Sequence, residues 1–450
     1  METITVSNNN LSHIIDSLVD KFSEPDNVSF EHEQNDVMPW NPLSLSHGYP
    51  GLIVLFSELD RYFPDMEYSL TTHKYMIKLK ELVENNPQIH QISLFNGFTG
   101  VNFAVRLASH GGTRYSSMVQ SLEEYSLPVS REFVKQVIKK HSEIEAGAYE
   151  YCYDLITGIT GIGRYALSSS HPGYRELLSE EIIPHLIKLT RTQDVNGKPL
   201  TGFYSPPETI IVEEDKEKFT RGYVNLGLSH GIAGPLSLLS LAKIKGMEGE
   251  NIDEAIRSLF KILADHISYD NEGPYFKRMV GLDDPENLRN DETDRFDAWC
   301  YGSFGICRAI DLAYEAVGDL EMKRLIRELT KALITMPISK YNVISPILCH
   351  GYSGNLHILN RVLNSGALNE DEELLNLGEK RKQELISQVL RLYDSNLKYG
   401  YADLVREKGG QTMKIEKVGL LEGTVGILLS LISAQNPEIE PYWDKFLLLS

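Results

Sequence analysis

The chain carries one short signature seven times, and such a repeat limits the fold more than any single motif can. Each copy reads Gly-x-x-Gly followed by an apolar run. The copies are HGYPGLIVLF (Gly48, Gly51), NGFTGVNFAV (Gly97, Gly100), TGITGIGRYAL (Gly158, Gly161), HGIAGPLSLL (Gly231, Gly234), YGSFGICRAI (Gly302, Gly305), HGYSGNLHIL (Gly351, Gly354) and EGTVGILLSL (Gly423, Gly426). The first glycines recur at intervals of 49 to 73 residues. Each apolar run of about ten to fifteen residues is nearly free of charge, which predicts a helix buried almost all round. Between the copies lie amphipathic patterns such as DEAIRSLFKILADHI and KRKQELISQVLRLYD, apolar at i, i+3, i+4 and i+7. The unit is therefore two helices, one buried and one half-exposed. An open solenoid of seven units would leave one face of each apolar helix wet, whereas a closed ring would not. The expected fold is all-α, a double α/α toroid of about fourteen helices with its glycine turns gathered at one end, where a missing Cβ lets backbone turn tightly.

One segment departs from this pattern. Residues 193–222 hold three prolines, an Asn-Gly pair and the β-branched run Thr209-Ile210-Ile211-Val212, which predicts a small β-containing insertion or a long surface loop. The 450 residues alone would suggest two or three domains. Because the repeat runs through the whole length, residues 1–450 read instead as one toroid containing that insertion.

Composition excludes several classes of function. Apolar residues at 42% and charged residues at 24% are those of a globular chain, not a disordered one. A net charge of −19 is unsuited to nucleic acid or an anionic membrane and suits a cationic peptide. Four cysteines in 450 residues do not make a disulfide framework. The stretch METITVSNNNLSHIIDSLVDKF lacks a basic segment followed by an apolar core, and no apolar run approaches the roughly 20 residues that span a bilayer. The expectation is a soluble, cytoplasmic protein.

If the turns meet at one end of a ring, the residues beside the glycines surround a common mouth. The residue before each first glycine is His47, Asn96, Thr157, His230, Tyr301, His350 and Glu422 in turn. Cys300 and Cys349 stand one place earlier in the fifth and sixth copies, so two thiols and an imidazole fall at equivalent places on adjacent repeats. Cys300, Cys349 and His350 are donors of the kind Zn²⁺ prefers, and three of them leave the fourth tetrahedral position open, as in catalytic sites. The alternative is a pair of ordinary buried thiols. Cys307 and Cys152 read as core. His230 shares the slot of His47 and His350, and Asp154 precedes its own first glycine by four, as a turn or capping aspartate also would.

Trp299-Cys300-Tyr301-Gly302, Cys349-His350-Gly351, Ser229-His230-Gly231, Tyr153-Asp154 and the seven Gly-x-x-Gly turns together closely resemble the lanthionine synthetase C family, the lantibiotic cyclases. The resemblance covers most of the chain and, with no dehydratase domain attached, is to a stand-alone cyclase. It implies a double α-toroid with a small non-helical extension, for which 193–222 is the counterpart. It also implies one catalytic zinc held by Cys300, Cys349 and His350. The implied substrate is a precursor peptide whose Ser and Thr have been dehydrated by a partner enzyme. Its cysteines are added to dehydroalanine or dehydrobutyrine to form lanthionine and methyllanthionine rings, and a dehydratase and a transporter are the implied partners in a membrane-associated complex. His230 takes an acid/base role, with Asp154 orienting it or assisting proton transfer, and Tyr301 steers substrate or hydrogen-bonds the enolate. The family's arginine before the Asp-x-Trp-Cys stretch is replaced here by Phe296, with Arg295 one place upstream and no role assigned to it.

The chemistry follows from the residue types. A free thiol with a pKa near 8.5 is mostly protonated at neutral pH, and a coordinating metal removes that proton. Two cysteinates and a neutral histidine give a zinc site no net charge, so a bound substrate thiolate stays nucleophilic. Its attack on an alkene moves charge to the carbonyl, and Cα must then receive a proton from a nearby acid. Rival readings are a zinc-thiolate prenyltransferase, a glycoside hydrolase or a non-catalytic peptide-binding scaffold with a structural zinc. Glu422 alone offers a carboxylate directly before a first glycine, where a hydrolase would need two flanking its bond.

Overall fold

The structure is a computed structural model, and it describes residues 8–28, 41–86, 88, 91–195, 197–247, 249–282, 295–406 and 410–450. Met1–Ser7 of the amino-terminal stretch and Asn196 of the Asn-Gly pair lie outside them. Each Gly-x-x-Gly opens a helix of an inner ring: Tyr49–Tyr62, Phe98–Ala108, Ile159–Ser168, Ala233–Ile244, Ser303–Val317, Tyr352–Leu363 and Thr424–Gln435. Every helix in this series touches the next, and Thr424–Gln435 touches Tyr49–Tyr62, so the ring closes.

The second glycines explain why the repeat exists. A Cβ added at Gly100 would lie 2.8 Å from the Cβ of Leu45 on the preceding turn. The same holds between Gly161 and Leu94 at 2.8 Å, between Gly426 and Leu348 at 2.9 Å, and between Gly51 and Leu420 at 3.3 Å. Six of the seven turns, all but that of Gly234, thus seat the second glycine against an apolar residue that stands three places before the first glycine of a neighbouring turn. A methyl there would overpack the seam, at a cost of about 1–3 kcal/mol. Backbone hydrogen bonds sew the same seams: Leu155 N to Ser229 O (2.9 Å), Leu228 N to Cys300 O (3.0 Å), Cys300 N to Cys349 O (3.3 Å), Cys349 N to Leu421 O (2.8 Å) and Leu420 N to Ser46 O (2.7 Å).

The outer layer consists of Asn8–Lys21, Tyr68–Asn85, Ser116–Ser142, the composite helix 172–189, Ile252–Asp265, Leu320–Thr335 and Glu372–Arg391. These are one-sided. Ile252–Asp265, for example, buries Ile252, Ala255, Ile256, Leu259, Phe260 and Leu263 and leaves its charges outside. In 172–189 the stretch Leu177–Ile182 widens into a π-turn just before Pro184, which has no N–H to continue the regular ladder. The fourteen helices that the described residues place in the two rings match the expectation from the repeats.

The strands differ in part from the sequence reading. Thr192–Val195 pairs with Lys198–Thr201, and Tyr204–Ser205 joins a three-stranded sheet with Tyr223–Asn225 and Met279–Gly281. The run Thr209–Val212, read as strand, is not one: Pro206 and Pro207 lead into a short 3₁₀ turn at Pro207–Thr209, and Ile211 is 84% exposed. Two further hairpins, Ser268–Asp270 with Gly273–Tyr275 and Asp403–Arg406 with Thr412–Ile415, have no counterpart in that reading.

A segment near the carboxyl end fills the middle of the ring. Trp299 Nε1 donates to Leu447 O (3.1 Å), Arg164 Nε to Lys445 O (2.6 Å) and Arg308 Nε to Leu449 O (2.9 Å). Asp444 is fully buried and accepts from His357 Nε2 (2.8 Å) and Arg361 Nε (2.5 Å). Among the described residues no helix is long and apolar enough to cross a membrane.

Candidate metal centre and acid–base site

The fifth turn is unlike its neighbours. Gly302 has φ +83°, a conformation that favours glycine, while the first glycines of the other turns that begin helices at that residue are extended. Asp297 accepts from Ser303 N (2.9 Å) to start the helix, and Arg295 Nε holds Asp297 (2.7 Å). Arg295 also reaches Asp270 (2.5 Å) and lies over the Tyr275 ring. It is therefore a buried anchor of the Trp-Cys-Tyr-Gly turn.

Seam bonding lays Cys300 beside the sixth turn. One ligand atom each from Cys300, Cys349 and His350 falls within 4.8 Å of the others, a set that can hold a metal ion. The two thiols face one another within that distance. Neighbouring Cys349, with His350 and His230 close by, draws Cys300 below the ordinary thiol range, and Cys300 together with burial pushes Cys349 well above it. A pair that parts readily with one proton and reluctantly with a second is suited to a cation that displaces both. His350 Nε2 stands 3.5 Å from Asp403 Oδ1. Burial disfavours the His350 cation, but the Asp403 hydrogen bond and the Cys300 charge leave its pKa raised. Asp403 is fixed by Ser345 Oγ (2.8 Å) and faces Lys417 Nζ (3.5 Å), which also pairs with Glu422 (2.7 Å). A carboxylate behind a ligating imidazole sets its orientation and basicity. Sequence reasoning missed Asp403, which lies on a hairpin with no local signature.

The fourth turn is bonded to the fifth, since Ser229 N and Oγ both reach Cys300 O (3.3 Å each). His230, the next residue, projects with its side chain 33% exposed, and its Nδ1 meets Asp154 Oδ2 at 2.6 Å. Asp154 Oδ1 accepts from Thr157 N (2.7 Å) and Gly158 N (2.5 Å), so the capping role and the histidine contact coexist in one carboxylate. Burial opposes the His230 cation, yet the Asp154 hydrogen bond and the charges of Asp154, Glu150 and Cys300 raise its pKa. The Tyr301 ring sits 6.2 Å from the His230 ring, centre to centre. The structure therefore brings all six residues singled out in the sequence to adjoining turns. Cys152 and Cys307 are buried away from solvent, and burial pushes both thiols up to about 12.

A closed ring of seven glycine turns that sets a cysteine–histidine trio able to hold a metal ion beside a histidine–aspartate pair is the architecture of a toroidal enzyme. The sequence model of the family described as lanthionine synthetase C-like protein matches residues 39–448, and the chain belongs to that family. It is 25% identical over 460 residues to the nisin biosynthesis protein NisC of Lactococcus lactis subsp. lactis, covering 99% of this chain and 97% of that one. A solved structure of nisin cyclase superposes with a TM-score of 0.71 at 24% identity, covering 98% of each chain.

Proposed function

We propose that the protein is a lanthionine-forming peptide cyclase that adds cysteine thiols of a dehydrated lantibiotic precursor peptide to its dehydroalanine and dehydrobutyrine residues. The observation that carries this reading is the juxtaposition, on seam-bonded turns, of a metal-competent trio and an acid–base dyad. Family membership and the similarity to a nisin biosynthesis protein support the substrate class. Zinc is the metal that the donors Cys300, Cys349 and His350 fit, with two soft sulfurs, one imidazole and a fourth position left open. When bound, it would lower the pKa of a substrate thiol and hold the sulfur as a nucleophile.

The remaining work falls to the chain's own side chains. The thiolate forms a C–S bond at the β-carbon while the alkene electrons move toward the adjacent carbonyl oxygen. His230, kept protonated by Asp154, delivers a proton to Cα. Tyr301 borders the same space and hydrogen-bonds the developing enolate. The proton lost from sulfur balances the one gained at carbon, so ring closure leaves peptide mass unchanged. The dehydrated substrate requires a dehydratase upstream, and the cyclised product a transporter. The negative surface suits a cationic core peptide, and the cytoplasm is where these partners would meet.

Two measurements test the reading. Incubation with dehydrated precursor peptide is expected to consume free thiols at constant mass, and a protein that binds the peptide without consuming thiols would be a scaffold instead. Metal analysis is expected to find one zinc per chain in the wild type and little in Cys300→Ala.

A further inference from the structure

A groove begins beside the acid–base dyad, and the cyclase chemistry above gives it no task. Thr157, the exposed residue before the first glycine of the third turn, donates its N–H to Asp154 Oδ1 (2.7 Å), and its Oγ1 lies 3.3 Å from each Asp154 oxygen. Asp154 in turn meets His230, so Thr157 stands two contacts from the imidazole. Thr157 lines a groove of about 680 Å³. Tyr151, on the 3₁₀ turn Glu150–Cys152 just ahead of Asp154, lines it too, and so do Pro128, Val129 and Phe133 of the helix Ser116–Ser142. Val129, Phe133 and Tyr151 are only half-buried and Pro128 is exposed, so apolar surface stands open next to the reacting groups. The lining is set in advance. The Tyr151 ring is stacked on Tyr149, with centroids 5.0 Å and planes 9° apart, and Lys140 Nζ lies over it at 6.0 Å. Gln91 O accepts from Phe98 N (2.9 Å), which ties the opposite flank to the second glycine turn. A preformed apolar groove with a few polar side chains, here Gln91 and Gln136, is the ordinary form of a ligand site and lowers the ordering cost of binding.

We propose that this groove is a subsite for the substrate peptide and takes an aliphatic or aromatic side chain that flanks the dehydroamino acid under attack. This rests on the cyclase reading above and adds the class of residue the protein selects. Continuity with the dyad carries the assignment. A peptide whose Cα is presented to His230 lies against Thr157, where the groove starts. An extended chain advances only about 3.3 Å per residue, so the side chains that enter the groove belong to near neighbours of the reacting residue. Phe133 and Val129, one helical turn apart, give such a side chain an apolar face, and the Gln91 and Gln136 amides suit the peptide backbone beside it.

The test uses the purified full-length protein and synthetic peptides that carry one dehydroalanine and one cysteine. Leu or Gly is placed in turn at each free position within three residues of the dehydroalanine. Affinity is read by fluorescence anisotropy of labelled peptide, and turnover by thiol consumption. A peptide that binds without losing its thiol fails the cyclase reading, whereas the subsite is judged on affinity. At one or two positions Leu is expected to bind about tenfold tighter than Gly, the scale of burying one aliphatic side chain. Phe133→Ser is expected to erase that preference while the affinity for the Gly peptide and kcat stay within about twofold of wild type, since what is removed is binding shared by ground and transition states. A missing Leu preference, or one that survives Phe133→Ser, overturns the assignment, and peptides that do not bind at all overturn both readings. Should Phe133→Ser fail to fold, Val129→Ser on the same face of the helix carries the same comparison with the same expected loss.

Discussion

Among the histidine–aspartate pairs of the described residues, His230–Asp154 and His357–Asp444 behave in opposite ways. At the mouth, His230 meets Asp154 at 2.6 Å with its side chain 33% exposed. In the central plug, His357 meets Asp444 at 2.8 Å with its side chain 1% exposed. Burial opposes the cation in both. At His230 the Asp154 contact and nearby charges prevail, and the pKa rises. At His357 burial prevails, assisted by Arg361 and Arg308, and the pKa falls. The difference lies in who neutralises the carboxylate. Arg361 takes up the charge of Asp444, and with His357 holds that carboxyl far below the usual range despite its burial. Asp154 is met by backbone N–H groups and a hydroxyl, so its charge is left for the imidazole. On the proposed reading, the same two residue types make a proton donor in one place and a structural fastener in the other.

The contrast can be broken from either side. The largest expected effect is that of His230→Ala, which should slow ring formation by about 10²–10⁴-fold, the usual contribution of a general acid. Melting temperature and zinc content should stay near the wild-type values, and a loss of zinc would move His230 into the metal site. Asp444→Ala should do the reverse. Leaving Arg361 buried without its partner costs about 3–5 kcal/mol in denaturant titrations, while turnover per folded molecule is retained. The subtlest effect concerns pH. A raised pKa keeps His230 protonated to higher pH, so activity that needs the acid form is lost on the alkaline side, as pH climbs through that raised value. Asp154→Asn removes the charge that does the raising, and the alkaline limb of kcat should therefore move to lower pH. A limb that stays in place would assign it to another group.

Much of this was legible in the sequence because repeats announce themselves. Glycines in register, each with an apolar continuation, gave the inner ring, and the pre-glycine slots placed Cys300, Cys349, His350 and His230 together. What escaped notice acts at a distance. Asp403 supports His350 from a hairpin more than fifty residues downstream, and strands of two to four residues leave little periodicity to read. The plug did leave a trace. Arg164, Arg308 and His357 stand within otherwise apolar helices, and buried cations or imidazoles of that sort need partners. Those partners, the Lys445 and Leu449 carbonyls and Asp444, come from a stretch with no helical pattern of its own. The misread run Thr209–Val212 shows that β-branching does not make a strand where two preceding prolines set a turn: Thr209 N and Ile210 N are spent on Pro206 O and Pro207 O.

The joint between Leu420 and Gly51 unites the last turn with the first. A linear array can gain or shed a unit at its ends, but a circle joined this way cannot, because deleting any unit would leave two mismatched joints and shift every ligand out of alignment. The count of seven is therefore frozen. Freedom to diversify is confined to the unequal spans between turns, which is where this chain carries its hairpins and the strand that reaches the site. Relatives handling different peptides are expected to differ there first.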